Sequence, residues 1–340
     1  MKPAAASDTL TAKMLEALES DLRLAVNLPG ADACPQMGEM IAYHFGWSGE
    51  VPSRRGKRIR PLLTLLACAS SGGDWHAALP VASSVELIHN FSLLHDDIQD
   101  QSDERRGRPT VWRLWGVAQA LNTGDALLVL ARLSTYRLLN LGLPAGRVQG
   151  IQRLLDHACL DLTQGQHLDL AFQSRKDVTT ADYFTMIEGK TAALIAAAAE
   201  CGACVAGAPE DTRQAYWRYG RDLGLAFQIL DDILGTWGEP SATGKPAGDD
   251  LRARKKTLPA LIGLERSAEF ARLWASPPSE HEDIGAMTAR LEEAGVLDET
   301  QHQASTHTEL ALSELDSARP TSQAAAELRQ LTLRLLRRDR

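Results

Sequence analysis

The chain has 340 residues, of which 44% are hydrophobic and 24% charged, and this composition indicates a soluble globular protein and excludes a disordered one. The net charge is −8, from 36 basic and 44 acidic residues, which argues against general nucleic-acid binding, so any anion site must be local. Five cysteines are an odd number in a chain of this size, which argues against a disulfide scaffold.

The N-terminal residues and the apolar stretches give no targeting or membrane signal. Residues 1–8 lack the apolar region of a signal peptide. The most apolar stretches, 81–94 and 191–208, are too short or too interrupted to span a bilayer. We therefore predict a cytoplasmic protein without a transmembrane segment.

The first predicted elements are helices over residues 8–28 and 35–45, which carry leucines and other apolar residues at helical spacing. A basic loop follows, with cations at Arg54, Arg55, Lys57, Arg58 and Arg60. Pro61 suits the first turn of a helix over 61–70, and the free N–H groups of a helix start add to the attraction for an anion. The alternative is a basic loop that simply faces solvent.

An apolar helix over 79–101 contains His89 and ends in an acidic stretch. On a helix Asp96 and Asp100 lie at i and i+4, so their carboxylates point the same way and repel each other unless a cation lies between them. Magnesium typically binds one or two carboxylates together with substrate phosphates, and Arg105 and Arg106 are forks suited to phosphate oxygens. The stretch suggests a metal-bridged polyphosphate ligand; the alternative is a solvated, charged helix end.

Further helices are predicted over the rest of the chain. Long helices cover 111–172, with breaks near 122–124 and 142–144, and Thr180 is expected to cap the next helix. A helix over 210–234 ends in Asp231 and Asp232, as the earlier helix ends in aspartates, and the charged loop 238–256 suits a lid. No run alternates with the period of a strand and no linker divides the chain, so we predict one all-α domain.

Taken together, these motifs resemble the trans-isoprenyl diphosphate synthases of the polyprenyl synthetase family, most closely the geranylgeranyl diphosphate synthases. The motifs occur in family order: Gly56-Lys57-Arg58-Ile59-Arg60-Pro61, Asp96-Asp97-Ile98-Gln99-Asp100 with Arg105-Arg106-Gly107, Gly165-Gln166 with Asp169-Leu170, Gly189-Lys190-Thr191, Phe227-Gln228 with Asp231-Asp232, Thr243-Gly244-Lys245, and Lys255 with Thr257. The resemblance implies a bundle of roughly ten or more helices around a central cavity. It also implies a homodimer and a single domain over 1–340, with a motif-bearing core at 56–258 and a helical part at 259–340.

The resemblance also implies roles for individual residues. The metal ligands would be Asp96, Asp97, Asp100, Asp231 and Asp232, binding Mg²⁺ as three ions, with Mn²⁺ as a substitute. The allylic diphosphate would contact Arg105, Lys190, Thr191, Gln228, Lys245 and Lys255. The metal-free diphosphate of isopentenyl diphosphate would contact Lys57, Arg60, His89 and Arg106. The main catalytic side chains would be Asp96, Asp100, Arg105, Lys190, Asp231 and Lys245, and Gln166 and Asp169 would lie near the developing allylic cation.

The implied reaction condenses isopentenyl diphosphate with an allylic diphosphate and releases pyrophosphate. Phe91, with the small Ser92 beside it, resembles the chain-length position of C20 synthases, so geranylgeranyl diphosphate is the expected product and farnesyl or longer chains are the alternatives. The rivals are a terpene cyclase of the same fold and a non-catalytic subunit of a heteromeric synthase. One departure from the family pattern is Gly235, which stands where the second motif commonly has its last aspartate.

Overall fold

The computed structural model describes residues 9–27, 34–48, 56–238, 248–275 and 284–336, and most of these are helical. The helices of the first half are α1 (Leu10–Ala25), α2 (Pro35–His44), α3 (Ile59–Ser70), α4 (Leu79–Gln99), α5 (Val111–Trp115), α6 (Val117–Asn140) and α7 (Ala145–Ser174). Those of the second half are α8 (Thr180–Ile187), α9 (Ala193–Ala206), α10 (Glu210–Trp237), α11 (Asp249–Arg252), α12 (Leu258–Arg266), α13 (Ala268–Ala275), α14 (Ile284–Glu293), α15 (Val296–Ser317) and α16 (Ser322–Leu336). A small hairpin joins β1 (Glu104–Arg105) to β2 (Arg108–Pro109).

The chain is organised as two compact units. The first comprises Met1–Asp156, Ala198–Arg213 and Pro320–Leu328, and the second comprises His157–Ala197, Gln214–Arg319 and Arg329–Arg340. The single domain expected from the sequence remains a prediction, and each unit is described by itself below.

The first unit is built on α4, which is apolar on nearly all sides and is therefore buried along most of its length. It packs along α6 and against α1 and α3. On α1, the residues Met14, Leu18 and Leu22 recur every fourth position and are fully buried, which confirms the predicted amphipathic pattern. Pro61 lies in the first turn of α3, as expected.

One predicted helix break is wrong. Residues 122–124 lie inside α6, which continues through them, whereas the break near 142–144 is confirmed. Gly124 is needed for close packing rather than for a turn, because a Cβ there would lie 2.4 Å from Nε2 of His95 on α4. The small residue thus lets an imidazole ring lie against the backbone of α6.

The second unit has a core formed by residues of α8, α10, α12 and the C-terminal helices. Its largest fully buried side chains include Tyr183 and Phe270. The predicted cap is displaced by one residue: Thr179, not Thr180, caps α8, in a reciprocal capping box with Asp182. Directly after α8 the helix widens into a π turn, Glu188–Ala192, before α9 begins.

Two helical runs are longer than the sequence suggested. Trp75–Gln99 and Thr180–Ala206 are long and apolar enough to cross a membrane by length and composition, but 78% of each apolar window is buried inside the protein. A buried core helix passes the same test, so these runs are weak evidence for a membrane span. The cytoplasmic location remains a prediction.

Candidate active site

The acidic end of α4 carries the first set of predicted site residues. The backbone N–H of Asp100 donates to the carbonyl of Asp96 at 2.8 Å, so the two residues lie one helical turn apart and their side chains leave the same side of the helix. The Asp96 side chain is half-buried and that of Asp100 is exposed. These two positions offer oxygen ligands of the kind a hard cation prefers.

Asp97 differs from its neighbours because it is buried and bound to an arginine. Nε of Arg105 donates to both carboxylate oxygens of Asp97, at 2.8 and 3.0 Å, and Nη2 lies 2.8 Å from Oδ1. Burial raises the pKa of Asp97, while the charge of Arg105 opposes that shift. Asp97 therefore fixes the arginine hairpin to α4, and its predicted contact with metal remains a prediction.

The hairpin explains the glycine that follows the two arginines of the motif. The two strands are joined by Arg106 and Gly107, with φ values of +56° and +74°. Positive φ at both loop positions is the pattern of a type I′ turn, whose twist matches the strands. A non-glycine residue in this region costs on the order of 1–3 kcal/mol. Arg106 is thus held in a strained backbone conformation at the tip of the hairpin.

Next to the hairpin lies a cluster of cations. Nη1 of Arg60 is 3.4 Å from Nε2 of His89, and a Cβ on Gly56 would lie 2.7 Å from Nη2 of Arg106. Burial lowers the pKa of His89 well below its usual value, and the charges of Arg60 and Arg106 lower it further. The imidazole is therefore neutral at pH 7. Lys57, the other cation predicted here, is exposed.

Arg58 has a different role from the one expected of the basic loop. It is buried in the left-handed region, with φ +49°, and donates to Glu19 at 2.8 Å and to Glu86 at 2.7 Å. Asn90 donates to the same Glu86 oxygen at 2.9 Å. Arg58 therefore holds the loop in place rather than facing an anion. Arg54 and Arg55 lie outside the described residues.

Two residues of this site, Tyr43 and His44 at the end of α2, have no motif that marks them in the sequence. A cleft of about 350 Å³ is lined by Tyr43, His44, Asp97, Arg105, Arg106, Arg108, Pro109, Thr110 and Val111. Because α2 has no recognisable motif, only the tertiary structure brings these two side chains to the arginines.

The residues predicted to set product length lie on α4, in the turn that precedes its acidic end. The ring of Phe91 packs edge-on against that of His95, with centroids 4.8 Å apart. Ser92 is buried, and its hydroxyl donates to the carbonyl of His89 at 2.8 Å. A small polar residue and an aromatic one thus stand side by side in the turn before Asp96.

In the second unit, Asp232 is the centre of a buried hydrogen-bond network. Its carboxylate accepts from the hydroxyl of Tyr183 at 2.7 Å, from Nε2 of Gln228 at 3.0 Å and from the N–H of Leu258 at 3.2 Å. Burial raises the pKa of Asp232, and the charge of Lys255 opposes that shift. Three donors already use this carboxylate, which suits a role in positioning better than direct metal binding.

The same network reaches the other predicted contacts of the allylic diphosphate. The hydroxyl of Thr191 donates to Oε1 of Gln228 at 2.8 Å, so Gln228 links Thr191 to Asp232. Lys190 forms an ion pair with Asp169. A cleft of about 300 Å³ is lined by Asp169, Tyr183, Met186, Ile187, Lys190, Gln228, Asp232, Lys255, Lys256 and Thr257.

Two glycines bring Lys190 and Asp169 together. A Cβ on Gly165 would lie 2.1 Å from the backbone nitrogen of Lys190, and one on Gly189 would lie 2.5 Å from the carbonyl of Asp161. The two backbones therefore approach more closely than any side chain would permit. The glycines of both motifs, four residues before Asp169 and one before Lys190, have a packing role.

Gly235 also has a structural explanation. Asp231, four residues before it, is half-buried, and a Cβ at Gly235 would lie only 1.9 Å from Oδ2 of Asp250 on α11. The carboxylate of Asp250 thus lies where a side chain at position 235 would lie. Lys245, predicted to bind diphosphate, is outside the described residues.

We expect Gly235→Ala to gain little of the roughly 1 kcal/mol that alanine contributes over glycine inside a helix, because the carboxylate of Asp250 must move away from the added methyl group. Urea unfolding followed by circular dichroism measures the change. Gly146→Ala on α7 is the matched control, since a Cβ there meets nothing within 4 Å. Equal stability of the two variants would show that Asp250 does not fill the space beside Gly235.

Among the described residues, no group of three or more His, Cys, Asp or Glu side chains is gathered to hold a metal ion by itself. Magnesium sites commonly combine one or two carboxylates with substrate phosphates, so the donor set of Asp96 and Asp100 fits this ion.

Comparison with known proteins gives consistent matches. The family model described as polyprenyl synthetase matches residues 48–291. Over 246 residues the chain is 49% identical to the (2E,6E)-farnesyl diphosphate synthase of Mycobacterium tuberculosis, covering 71% of this chain and 67% of that protein. It is 43% identical over 269 residues to the geranylgeranyl diphosphate synthase of the same organism, covering 76% and 75%.

A solved structure matches nearly the whole chain. The geranylgeranyl pyrophosphate synthase of Corynebacterium glutamicum, crystallised with isoprenyl diphosphate and magnesium, superposes with a TM-score of 0.83 at 31% identity. The match covers 97% of this chain and 98% of that one. The predicted all-α fold of the isoprenoid-synthase type is confirmed.

Proposed function

The chain belongs to the polyprenyl synthetase family of prenyltransferases, and on that premise we propose that its main product is geranylgeranyl diphosphate. The protein is a trans-prenyl diphosphate synthase. In the proposed reaction, an allylic diphosphate loses pyrophosphate and its C1 is attacked by the double bond of isopentenyl diphosphate. Repetition of this step lengthens the chain by one isoprene unit each time.

The observation that carries the proposed reaction is the different placement of two adjacent arginines, whereas the proposed product length rests on Phe91 and Ser92. Arg105 is bound to Asp97 at the acidic end of α4, whereas Arg106 lies against Gly56 beside Arg60 and His89. One hairpin thus contributes one arginine to the carboxylates at the end of α4 and one arginine to the cation cluster around Arg60 and His89. This is what a reaction between one metal-bound and one metal-free diphosphate requires.

We assign Asp96, Asp100 and Asp231 to holding Mg²⁺, as the half-buried or exposed carboxylates of their motifs. When bound, Mg²⁺ neutralises the charge that grows on the departing pyrophosphate. Asp97 and Asp232 act in this proposal as positioning groups, because each is buried and already bound to protein donors. We propose three Mg²⁺ ions at this site, with Mn²⁺ able to replace them.

The cationic side chains then divide between the two substrates. Arg105, Lys190, Lys245 and Lys255 hold the leaving diphosphate, and Thr191 and Gln228 assist them. Lys57, Arg60, His89 and Arg106 hold isopentenyl diphosphate. His89 is neutral at pH 7, so it contributes one N–H donor and no charge of its own.

The allylic cation must be protected from water until the new bond forms. Gln166 and Asp169, which lie on α7 near Lys190, would face the developing positive charge. After attack, the proton on C2 of the isopentenyl unit leaves to the released pyrophosphate, which is the strongest base formed in the reaction. No protein base is required by this scheme.

We assign the limit on chain length to Phe91 and Ser92, one turn before Asp96. Phe91 is half-buried and Ser92 is buried, and a large or a small side chain at these positions leaves less or more room for the growing chain. The relatives above include both farnesyl and geranylgeranyl synthases, so length has to be decided by experiment.

We expect Phe91→Ala to lengthen the product beyond C20, because it removes the ring that closes the path of the growing chain. The matched reverse change, Ser92→Phe, should shorten it. Reversed-phase chromatography of the dephosphorylated products measures both. Unchanged lengths in the two variants would show that this turn of α4 does not limit the chain.

The test of the proposed product uses the wild-type protein with Mg²⁺ and radiolabelled isopentenyl diphosphate. Dimethylallyl, geranyl and farnesyl diphosphates are supplied in turn as primers. We expect all three reactions to end mainly at C20. Accumulation of C15 without conversion of farnesyl diphosphate, or products of C25 and longer, would contradict it.

We also propose that the protein is a homodimer formed through α6. This helix exposes apolar side chains at helical spacing on either side of the exposed Asp125, each 39–56% exposed: Val117, Leu121, Val129, Leu133 and Tyr136. Exposed apolar surface of this kind often marks an interface, and a helix can pair with its own copy about a two-fold axis.

Replacing Leu133 by aspartate is expected to convert the dimer to a monomer, because a charge would be buried without a partner between Val129 and Tyr136. Light scattering after size exclusion should give twice 37.0 kDa for the wild type and 37.0 kDa for the variant. Arg132→Asp, on the adjacent exposed position, is the control. A wild-type monomer, or an unchanged Leu133→Asp dimer, would exclude this surface.

A further inference from the structure

The end of α2 lies beside the diphosphate site although no motif marks it. Tyr43 and His44 precede the matched family segment, which begins at residue 48. Both side chains nevertheless line the cleft that contains Arg105 and Arg106. We refer to Tyr43 and His44 as the α2 clamp.

Tyr43 contacts the arginine hairpin at two points. Its hydroxyl donates to the carbonyl of Pro109 at 2.9 Å, at the end of β2. Its ring supports the guanidinium of Arg108, whose Cζ lies 3.8 Å from the ring centroid. Trp115 packs edge-on against the same ring, with centroids 5.2 Å apart. One side chain thus grips the second strand by its backbone and by its arginine.

This grip matters because the hairpin carries Arg106 in a strained conformation. A left-handed backbone at a non-glycine residue persists only where the surroundings enforce it. Arg105 has a separate anchor in its ion pair with Asp97. Arg106 lies against Gly56 instead, so its direction depends mainly on the backbone of the hairpin.

His44 faces the same arginines from the end of α2. Burial and then the charges of Arg105 and Arg106 lower its pKa to about 3, so the ring is neutral at pH 7. Its interaction with Asn90 has the opposite, weaker effect on that pKa. Asn90 in turn donates to Glu86, the partner of Arg58. A neutral ring in this position lines the site without adding to the repulsion among its cations.

The cleft as a whole has an excess of positive charge. It contains three guanidinium groups, those of Arg105, Arg106 and Arg108, and a single carboxylate, Asp97, which Arg105 already neutralises. Such a cleft suits a multiply charged anion that binds without a metal ion.

We propose that the α2 clamp is part of the isopentenyl diphosphate site, in which Tyr43 positions Arg106 through the hairpin and His44, whose buried Nε2 has no hydrogen-bond partner among the described residues, supplies a ring N–H to the ligand. The inference rests on the proposed function in taking isopentenyl diphosphate as the ligand. Tyr43 is a positioning residue, since it acts on the substrate through Arg106.

The experiment compares Tyr43→Leu, which removes ring and hydroxyl, with Tyr43→Phe, which keeps the ring, and with His44→Leu. Arg113→Ala is the control, because Arg113 is an exposed arginine near the same hairpin that pairs with Asp103. Calorimetry measures binding of inorganic pyrophosphate in the presence of EDTA, and steady-state kinetics measures KM for each substrate. Thermal unfolding of each variant is recorded alongside.

We expect Tyr43→Leu to weaken metal-free pyrophosphate binding and raise the KM for isopentenyl diphosphate by about tenfold, because it loses both the hydrogen bond to Pro109 and the ring contact with Arg108. Tyr43→Phe loses only the hydrogen bond, so we expect a smaller effect. His44→Leu should weaken pyrophosphate binding in the same direction. The KM for the allylic substrate and the melting temperature should stay near those of the wild type, as should every value for Arg113→Ala.

Two outcomes would overturn the inference. One is unchanged pyrophosphate binding in the folded Tyr43→Leu and His44→Leu proteins. The other is a fall in melting temperature with equal loss of affinity for both substrates, which marks a structural role only. If Tyr43→Leu does not fold, Tyr43→Phe and His44→Leu decide. Pyrophosphate binding needs no turnover, so a wild type without synthase activity would contradict the proposed function and still leave the clamp testable.

Discussion

Replacing Asp96 by asparagine is expected to lower kcat about a thousandfold, a loss of several kcal/mol in the stabilisation of the departing pyrophosphate. Asparagine keeps the shape of the side chain but removes the negative charge that attracts Mg²⁺. The KM for isopentenyl diphosphate should change little, since Arg60, His89 and Arg106 bind that substrate in our proposal.

The measurement is the initial rate of isopentenyl incorporation over a range of Mg²⁺ concentrations. Asp103→Asn is the matched control, because Asp103 is an exposed aspartate of the same segment that pairs with Arg113 on the surface. If Asp96→Asn and the control Asp103→Asn both retain the wild-type rate, Asp96 does not bind the metal ion. If only the KM for isopentenyl diphosphate rose, our assignment of Asp96 to the metal-bound allylic diphosphate would be wrong.

The second large effect concerns stability. Replacing Arg58 by alanine is expected to lower the free energy of unfolding by about 3–5 kcal/mol, because it leaves a buried carboxylate without its partner. The side chains of Arg58 and Glu86 are each only 3% exposed, so solvent cannot replace the lost interaction. Asn90, which donates to the same Glu86 oxygen, cannot neutralise its charge.

Equilibrium unfolding in urea measures this loss. Arg132→Ala is the control, because Arg132 pairs with Asp156 at the surface, where an ion pair is worth less than about 1 kcal/mol. The double replacement Arg58→Met with Glu86→Met should recover much of the stability, since it removes the buried carboxylate together with its partner, and Glu19, 21% exposed, keeps its hydrogen bond from Trp47. An Arg58→Ala protein as stable as Arg132→Ala would contradict a role for this pair in holding the loop.

The sequence was sufficient for most helices because their signals are local. The leucine spacing of α1 and the proline at the start of α3 depend on neighbouring residues only. The same reasoning misplaced the cap of α8 by one residue, since Thr179 and Thr180 are chemically alike and only the backbone decides between them.

Other features depend on tertiary contacts and could not be predicted. Gly124 looks like a helix breaker in sequence, but the ring of His95 explains it. The hairpin was missed because strands of two residues show no alternation. Arg58 was grouped with the anion-binding cations because Glu86, its partner, lies 28 residues away.

The sequence motifs identify the candidate site residues, but they do not show which of these side chains are buried and bound to other residues. Asp96 and Asp97 are adjacent in sequence, yet one is half-buried and the other is buried and bound by Arg105. Asp231 and Asp232 differ in the same way, because the helix turns the second residue toward Tyr183. A one-residue step on a helix changes the environment of a side chain completely, and sequence spacing alone does not report which residue faces inward.

The most direct test of the condensation reaction is the stoichiometry of pyrophosphate release by the wild-type protein with Mg²⁺. Farnesyl diphosphate is supplied with and without radiolabelled isopentenyl diphosphate, and released pyrophosphate and labelled prenyl product are both quantified. We expect equal amounts of the two when both substrates are present, and no pyrophosphate from farnesyl diphosphate alone. Release of pyrophosphate and a hydrocarbon from farnesyl diphosphate alone would contradict the assignment. Absence of any reaction with isopentenyl diphosphate would contradict it too, if geranyl diphosphate supplied in place of farnesyl diphosphate also failed to react.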